Sequence, residues 1–320
     1  MSVDLGTPNQ PVTIAVHVFV APVQRESSQP TIFDASSAAS FDLENPPSPW
    51  IGLGTVENFQ RTTVDESTSV QSGTDAMVVA QFRKKLEAHV SFASRRWGKL
   101  HLATGTGGTH WNVLATRTEA QPAPAGGEAI TATPILNGST ATVLQIDPQV
   151  AAQLAIGDLV AVDLDYFQQH GYVGLGFPSA YVVAGNRAPL QTDFIRRVTF
   201  NLGKVATIAG GTVTLEHPLP AGDPPTSAGL QKVLGFTDRE GGAFGQEWSA
   251  LFFEETVSGG RVCYYYPRVQ SLPQASEKKS PIFGDYQAML LEAHLLALPA
   301  TDPQDGVKAL WYRTYIPPKP

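Results

Sequence analysis

Val79-Ala-Gln-Phe-Arg-Lys-Lys-Leu-Glu-Ala-His-Val-Ser-Phe-Ala-Ser94 decides the fold class. Phe82, Leu86, Ala88, Val90 and Phe92 share one parity, and Gln81, Arg83, Lys85, Glu87, His89 and Ser91 share the other. Wound as a helix, the charges would surround the cylinder and leave no apolar stripe. Laid out as a strand, the stretch separates into one apolar face and one densely charged face. Lys84 is the only break in the alternation. The expected strand has about 14 residues against a usual ~5–6. Leu86, Val90 and Phe92 should pack in a core, while Arg83, Lys85, Glu87 and His89 face water.

Upstream, Val12, Ile14, Val16, Val18 and Val20 alternate in a second strand, Val12 to Ala21. Residues 22–50 follow as a long arm rich in Ser, Ala and Pro, and Leu53 to Val64 reads as a further strand. Ser67 to Thr74 is expected to be a loop or ragged connection. Downstream, Ser94 offers an N-cap for a short helix over Arg95 to Thr104, with Trp97 and Leu100 inward, ending at Gly105-Thr106-Gly107-Gly108.

Near Gln121-Pro-Ala-Pro-Ala-Gly-Gly127 the composition shifts to that of a linker. A small β unit is expected over 128–236. It contains a strand at Ala141 to Ile146, a helical turn at Asp147-Pro148, a strand ending at Val162 and a hairpin turning at Gly210-Gly211. Trp248 to Glu255 and Arg261 to Tyr266 then flank Ser258-Gly259-Gly260 as another hairpin. Tyr286 to Leu298 reads as a strand because its neighbours need sheet partners. The segment Pro317-Pro318-Lys319-Pro320 ends all pairing. The resulting fold class is mainly β. Two packed antiparallel sheets form a barrel or sandwich core from 1–127 and 237–320, with one short helix, and 128–236 is an inserted small β-domain.

Composition agrees. The 320 residues include 29 glycines and 25 prolines, which leave little room for long helices, and 42% are apolar, enough for a core. The formal charge of −7 gives no global attraction to nucleic-acid phosphate. With Cys263 as the only cysteine, neither an intrachain disulfide nor a multi-cysteine zinc site can form. The first ten residues carry no basic region or apolar run, and no window approaches ~20 consecutive apolar residues. Neither a signal peptide nor a membrane span is expected.

Candidate chemistry is sparse. Thr104-Gly-Thr-Gly-Gly-Thr-His110 looks like a phosphate cradle but lacks the Lys-Ser/Thr pair of a P-loop and the strand-loop-helix order of a dinucleotide site, so a plain connection reads better. Asp163 and Asp165, with Asp158 nearby, form a carboxylate pair without a histidine partner, and a solvated strand face reads better. The seven histidines show no metal-ligand spacing. Cys263 lies among strand tyrosines and reads as a buried small hydrophobe. Tyr264, Tyr265 and Tyr266 should alternate between faces. No enzymatic activity, cofactor or metal is expected.

Trp50-Ile-Gly-Leu-Gly-Thr-Val-Glu-Asn-Phe59, Gln81 to Phe92, Trp97-Gly-Lys-Leu100 and Gly259-Gly-Arg-Val-Cys-Tyr-Tyr-Tyr-Pro-Arg268 resemble tail tube (major tail) proteins of long-tailed bacteriophages and related prophage elements, over roughly 1–125 and 237–320. The resemblance implies a structural virion protein that assembles into hexameric rings stacked head to tail, a conduit through which DNA passes without specific binding. It implies tape-measure and tail-terminator partners, a place in the virion tail, assembly in the host cytoplasm and no membrane. In that setting Arg83, Lys85, Glu87 and His89 would line the lumen. The loops at 22–50 and 66–78 would order against the next ring, with Phe33, Phe41, Leu43 and Trp50 as inter-ring anchors. The rival readings are a monomeric carbohydrate-binding module or hydrolase with Trp111, Trp248 and Tyr264 to Tyr266 as platforms, and another virion component such as a capsid decoration or tail-completion protein.

Overall fold

The computed structural model describes residues 13–23, 28–47, 49–72, 77–116, 118–119, 122–124, 126–163, 172–174, 177–178, 197, 199–240, 247–272, 276–283 and 286–318. Strands β1 (Thr13–Pro22), β2 (Ile51–Ser72) and β3 (Met77–Ser94) lead into helix α1 (Lys99–Thr106) and strand β4 (Thr109–Leu114). Next come β5 (Thr133–Pro134), β6 (Val143–Gln145), the one-turn helix α2 (Pro148–Ala151), β7 (Leu159–Asp163), β8 (Tyr172–Gly174), β9 (Phe177–Pro178), β10 (Leu202–Ala209), β11 (Thr212–Leu215) and β12 (Gly229–Arg239). The chain continues through β13 (Glu247–Thr256), β14 (Arg261–Ser271), β15 (Ser276–Phe283), β16 (Tyr286–Leu298), β17 (Ala300–Thr301), β18 (Lys308–Ala309) and β19 (Tyr312–Ile316). The protein is thus mainly β, with two main antiparallel sheets.

The larger sheet runs β15-β16-β3-β2-β1-β13-β14-β19, and β14 also pairs with β16 through Arg268–Ser271 against Leu295–Leu298. That second pairing joins β1, β2, β3, β16, β14 and β13 into a closed ring of six antiparallel strands. The core therefore takes the barrel form, with β15 and β19 attached outside it. Alternation fills the inside: Val18 and Val20 of β1, Leu53 of β2, Val90 and Phe92 of β3, Phe252 of β13, Tyr266 of β14 and Leu295 of β16 pack together. The barrel is a packed core, not a pore.

Both ends are closed. At the end where β3 finishes, α1 lies against β16, and a Cβ on Gly105 would fall 3.0 Å from Leu291. The Ser271 hydroxyl donates to the Thr104 carbonyl at 2.6 Å. At the other end the Arg61 guanidinium sits 4.1 Å from the ring centroids of both Tyr264 and Trp311. Its Nε donates to the Tyr266 hydroxyl at 2.6 Å.

The helix differs from the sequence expectation. Ser94 is the last residue of β3, because pairing with Leu291 of β16 extends the strand to it. The helix consequently starts at Lys99 and stops at Gly107, whose φ of 68° supplies the left-handed C-cap. Trp97 falls before the helix and is 52% exposed rather than inward, its ring 5.4 Å from Phe236.

The smaller sheet runs β4-β12-β7-β10-β11-β6, with β5 on β12. Leu144, Ile146, Val160, Val162, Val205, Val213 and Leu230 form its own core. Its extent differs from the expected insertion of 128–236. β4 pairs along its length with Val233–Arg239, so the sheet spans 109–239 and crosses both borders. A buried polar layer further ties it to the barrel. Lys99 Nζ, on the barrel's capping helix, donates to Asn112 Oδ1 at 3.0 Å and to the Thr199 carbonyl at 2.7 Å, with the Phe200 ring 4.6 Å away. Phe200 in turn packs with Trp111 and Trp248 in the barrel cluster.

Two outcomes follow from this layer. Replacing 128–236 by a short Gly-Ser linker would strip β4 of its partner and leave Lys99 without the Thr199 carbonyl, so the shortened chain should lose its cooperative melting transition. A truncated chain that melts cooperatively would contradict that. His110 is buried against Phe200 at 4.7 Å, and burial, assisted by the Lys99 charge, holds it well below the usual histidine range. Burial also lowers His101. Both bind a proton less readily in the folded chain than in the unfolded chain, which takes protons below about pH 6.5. Melting temperature should fall as pH drops from about 7.5 to 5.5, and His110→Gln should flatten part of that slope.

Candidate assembly surfaces

β2 and β3 outrun the barrel. β1 pairs with β2 only along Ile51–Val56, and β16 pairs with β3 only along His89–Ser94. Beyond those contacts the two strands pair only with each other, out to Ser72 and Met77. Residues 67–72, expected to be loop, continue this ribbon. Threonine and valine suit it, and each residue finds a cross-strand partner. Among the described residues, the outer edges of β2 from Glu57 and of β3 up to Ala88 have no ladder partner. The twelve residues Met77–Ala88 at ~3.3 Å each make this arm about 40 Å long.

A second, shorter arm is built from β15 and the start of β16. Tyr286–Leu290 extend past the last pairing with β3, at Leu291, and are held only by β15. Because β3 and β16 run antiparallel, their starting ends lie at opposite ends of the barrel. The two arms therefore project in opposite directions.

The candidate face of β3 is divided by a bulge. Glu66 opposes Lys85 while Ser67 opposes Arg83, so Lys84, the residue that breaks the alternation, is the extra one. A one-residue shift exchanges the faces. Lys85, Glu87 and His89 keep the outer face, joined by Lys85 Nζ–Glu87 Oε1 at 2.8 Å and His89 Nε2–Glu87 Oε2 at 3.6 Å. Hydrogen bonding to Lys85 lowers the Glu87 carboxyl below its ordinary range and raises the Lys85 ammonium. Arg83 is not in this row. It lies on the continuation of the inner face, paired with Asp65 at 2.9 Å. Phe82 moves to the outer face and is 58% exposed, and Val64, Val70 and Met77 on the same face of the ribbon are also exposed. Leu86, expected in the core, is 37% exposed because it lies beyond the barrel, whereas Ala88, Val90 and Phe92 are buried.

The anchors expected to reach a neighbouring ring are used within their own subunit. Phe33, Phe41 and Trp50 are buried, and Leu43 packs partly against them. Phe41 stacks on Phe253 at 4.9 Å and meets Phe19 edge-on at 5.0 Å. The cause lies in β1, β13 and β14, whose outward residues Phe19, Leu251, Phe253 and Tyr265 are apolar and need a cover. Polar bonds fix that cover: Thr31 N–H donates to Ser249 Oγ at 2.9 Å, and the Tyr265 hydroxyl donates to the Thr31 carbonyl at 2.8 Å.

The remaining candidates hold no reactive constellation. No group of three or more His, Cys, Asp or Glu among the described residues could hold a metal. Asp163 is buried, and Asp165 lies outside the described residues. Burial pushes the Cys263 thiol up to about 12, away from thiolate chemistry. Tyr265 faces the outer wall while Tyr264 and Tyr266 face the barrel interior. Trp111 and Trp248, needed as sugar platforms in the carbohydrate reading, are buried. No helix among the described residues is long and apolar enough to cross a membrane. The sequence matches no protein-family model and no curated protein.

These positions set opposite expectations for two neighbouring leucine-type sites. Val90→Asp puts an unpaired carboxylate into the barrel and should abolish soluble folding. Leu86→Asp, out on the arm, should shift stability by no more than about 0.5 kcal/mol in urea melts. Equal sensitivity of the two sites would contradict an arm that begins beyond Ala88.

Proposed function

We propose that this chain is a structural subunit that assembles with copies of itself into stacked rings, a tail tube of the kind carried by long-tailed bacteriophages and derived injection devices. One observation carries the reading: a ribbon about 40 Å long, whose outer edges are open among the described residues and which exposes Phe82, Val70 and Met77 beyond the Lys85–Glu87 pair, leaves one end of a closed barrel while a second arm leaves the other. A two-stranded ribbon alone is marginally stable in water, and long open edges template pairing with another chain. Neighbouring copies supply the missing partners.

In this role the protein is structural rather than enzymatic. Its partners are further copies in the ring and in the rings above and below, with tape-measure and tail-terminator proteins at the tube ends. It is made and assembled in the host cytoplasm and resides in the virion tail. The conduit is the space enclosed by the ring of subunits, since the barrel interior is filled. Lys85, Glu87 and His89 face that conduit, and the mutual neutralisation of Lys85 and Glu87 keeps the wall from retaining passing DNA. The net charge of −7 acts in the same direction.

Electron microscopy of the purified chain over rising concentration tests this directly, with rings or tubes expected. Replacing 66–84 by a two-residue turn should preserve the melting transition and eliminate tubes. A protein that stays monomeric at every concentration, or a shortened variant that still forms tubes, would overturn the reading.

A further inference from the structure

The outer wall of the barrel carries a cleft of 430 Å³ between the 30–35 segment, the 300–304 segment and β19. Pro30, Ile32, Pro267 and Pro303 line it together with Tyr265 and Tyr312. The two tyrosine rings lie nearly parallel, 5.7 Å apart and 20° between planes. Their hydroxyls donate away from the cleft's apolar wall, Tyr265 to the Thr31 carbonyl and Tyr312 to Asp302 Oδ2. Ile32 is exposed at the rim.

The polar groups around this wall are of two kinds. Gln304, Thr301 and Thr314 supply donors, and Asp34 and Asp302 supply carboxylates. Hydrogen bonds from Ser36 hold the exposed Asp34 carboxyl below its ordinary range, and those from Tyr312 and Gln304 do the same for Asp302. Both are anionic at neutral pH. An occupant suited to these groups is apolar and extended, rich in carbonyl acceptors, poor in N–H donors and positively charged at one point. A proline-rich segment with a lysine meets each condition, because proline has no N–H and its polyproline helix leaves every carbonyl open.

We propose that the cleft receives the Pro317-Pro318-Lys319-Pro320 segment of a second copy of this chain. The segment has three prolines and one ammonium. Lys319 would meet Asp34 and Asp302, and the proline carbonyls would accept from Gln304 and the threonines. Within one subunit the chain leads away from the cleft as far as Pro318. β19 pairs Tyr312 with Tyr265 beside the cleft but Ile316 with Arg261, so the strand leads away from it. Pro318 already passes the turn at Gly259 and Gly260, whose built Cβ positions fall 3.7 and 3.4 Å from it. The contact joins different patches on two copies, so it repeats from copy to copy. It deepens the self-association proposed above and rests on that reading for its biological consequence, but the binding itself is measurable without assembly.

The test uses a fluorescent synthetic peptide of residues 315–320 and the full chain held below any assembly concentration. Saturable binding is expected, weakened by at least about tenfold when peptide Lys319 is replaced by Glu or when the chain carries Asp34→Asn with Asp302→Asn. Tyr312→Ala should weaken it as well, and circular dichroism of each variant checks that the fold is kept. No saturable binding, or equal binding to the double Asn variant, would overturn the proposal. Rings and tubes seen by microscopy alongside absent peptide binding would sink the cleft contact alone. Binding without any rings would support the contact and count against the tube.

Discussion

Closure of the barrel depends on how β14 changes partners at Pro267. Its first half, Arg261–Tyr265, pairs with β19, and its last residues, Arg268–Ser271, pair with β16. Between them the register with β13 shifts, with Trp248 opposite Val269 but Ala250 opposite Tyr266. Two residues of β14 thus face Ser249 alone. Proline suits such a bulge because it brings no N–H to the ladder. Ser249 is buried and donates to the Pro267 carbonyl at 2.7 Å. The same hydroxyl accepts from Thr31 N–H, which seats the aromatic cover on the outer wall. One bent strand and one serine thereby join ring closure to the docking of the 31–50 segment.

A filled and capped barrel leaves function to its outside. Arg61 with Tyr264 and Trp311 closes one end, and α1 closes the other. The outer wall along β1, β13 and β14 is covered by Phe33, Phe41 and Trp50. The smaller sheet is tied down through Lys99, buried together with Asn112, Thr199 and His110. The surfaces left open are the two arms, the row of Lys85, Glu87 and His89, and the cleft beside Tyr312. In the proposed reading each serves as a surface for another chain.

Much of this was legible before the structure. Period-two alternation located β1 and the barrel half of β3, the Ser258-Gly259-Gly260 turn and its β-favouring neighbours located both flanks of that hairpin, and the need for partners correctly made 286–298 a strand. Lys84 was visible as a break, yet alternation alone cannot say whether a break is tolerated or resolved as a bulge. Only the second outcome transfers Arg83 to the opposite face and exposes Phe82. The role of Phe33, Phe41 and Trp50 had a signal that was not used. Trp248 to Phe253 is apolar on nearly every residue, so that strand needs cover on both faces, and the aromatic-bearing loop is a source of it. Lys99 had no such signal. A lone lysine in a short glycine-rich helix reads as solvent-exposed, and its partners at Asn112 and Thr199 come from distant parts of the chain.

The polarity of the arms constrains how copies can meet. Had both left the same end of the barrel, two copies could have joined face to face and used up the open edges in a closed dimer. Because they leave opposite ends and differ in length and chemistry, a contact that satisfies one arm leaves its counterpart free on the far side. Such a heterologous contact does not terminate itself. In the proposed assembly, growth along the barrel axis follows from edge pairing, and its limit comes from a different molecule at each end. In that assembly lateral closure needs a second, independent contact, for which the cleft beside Tyr312 is the candidate. Two contacts with separate geometry, one along the axis and one around it, are the minimum from which identical subunits can build a tube rather than a fibre.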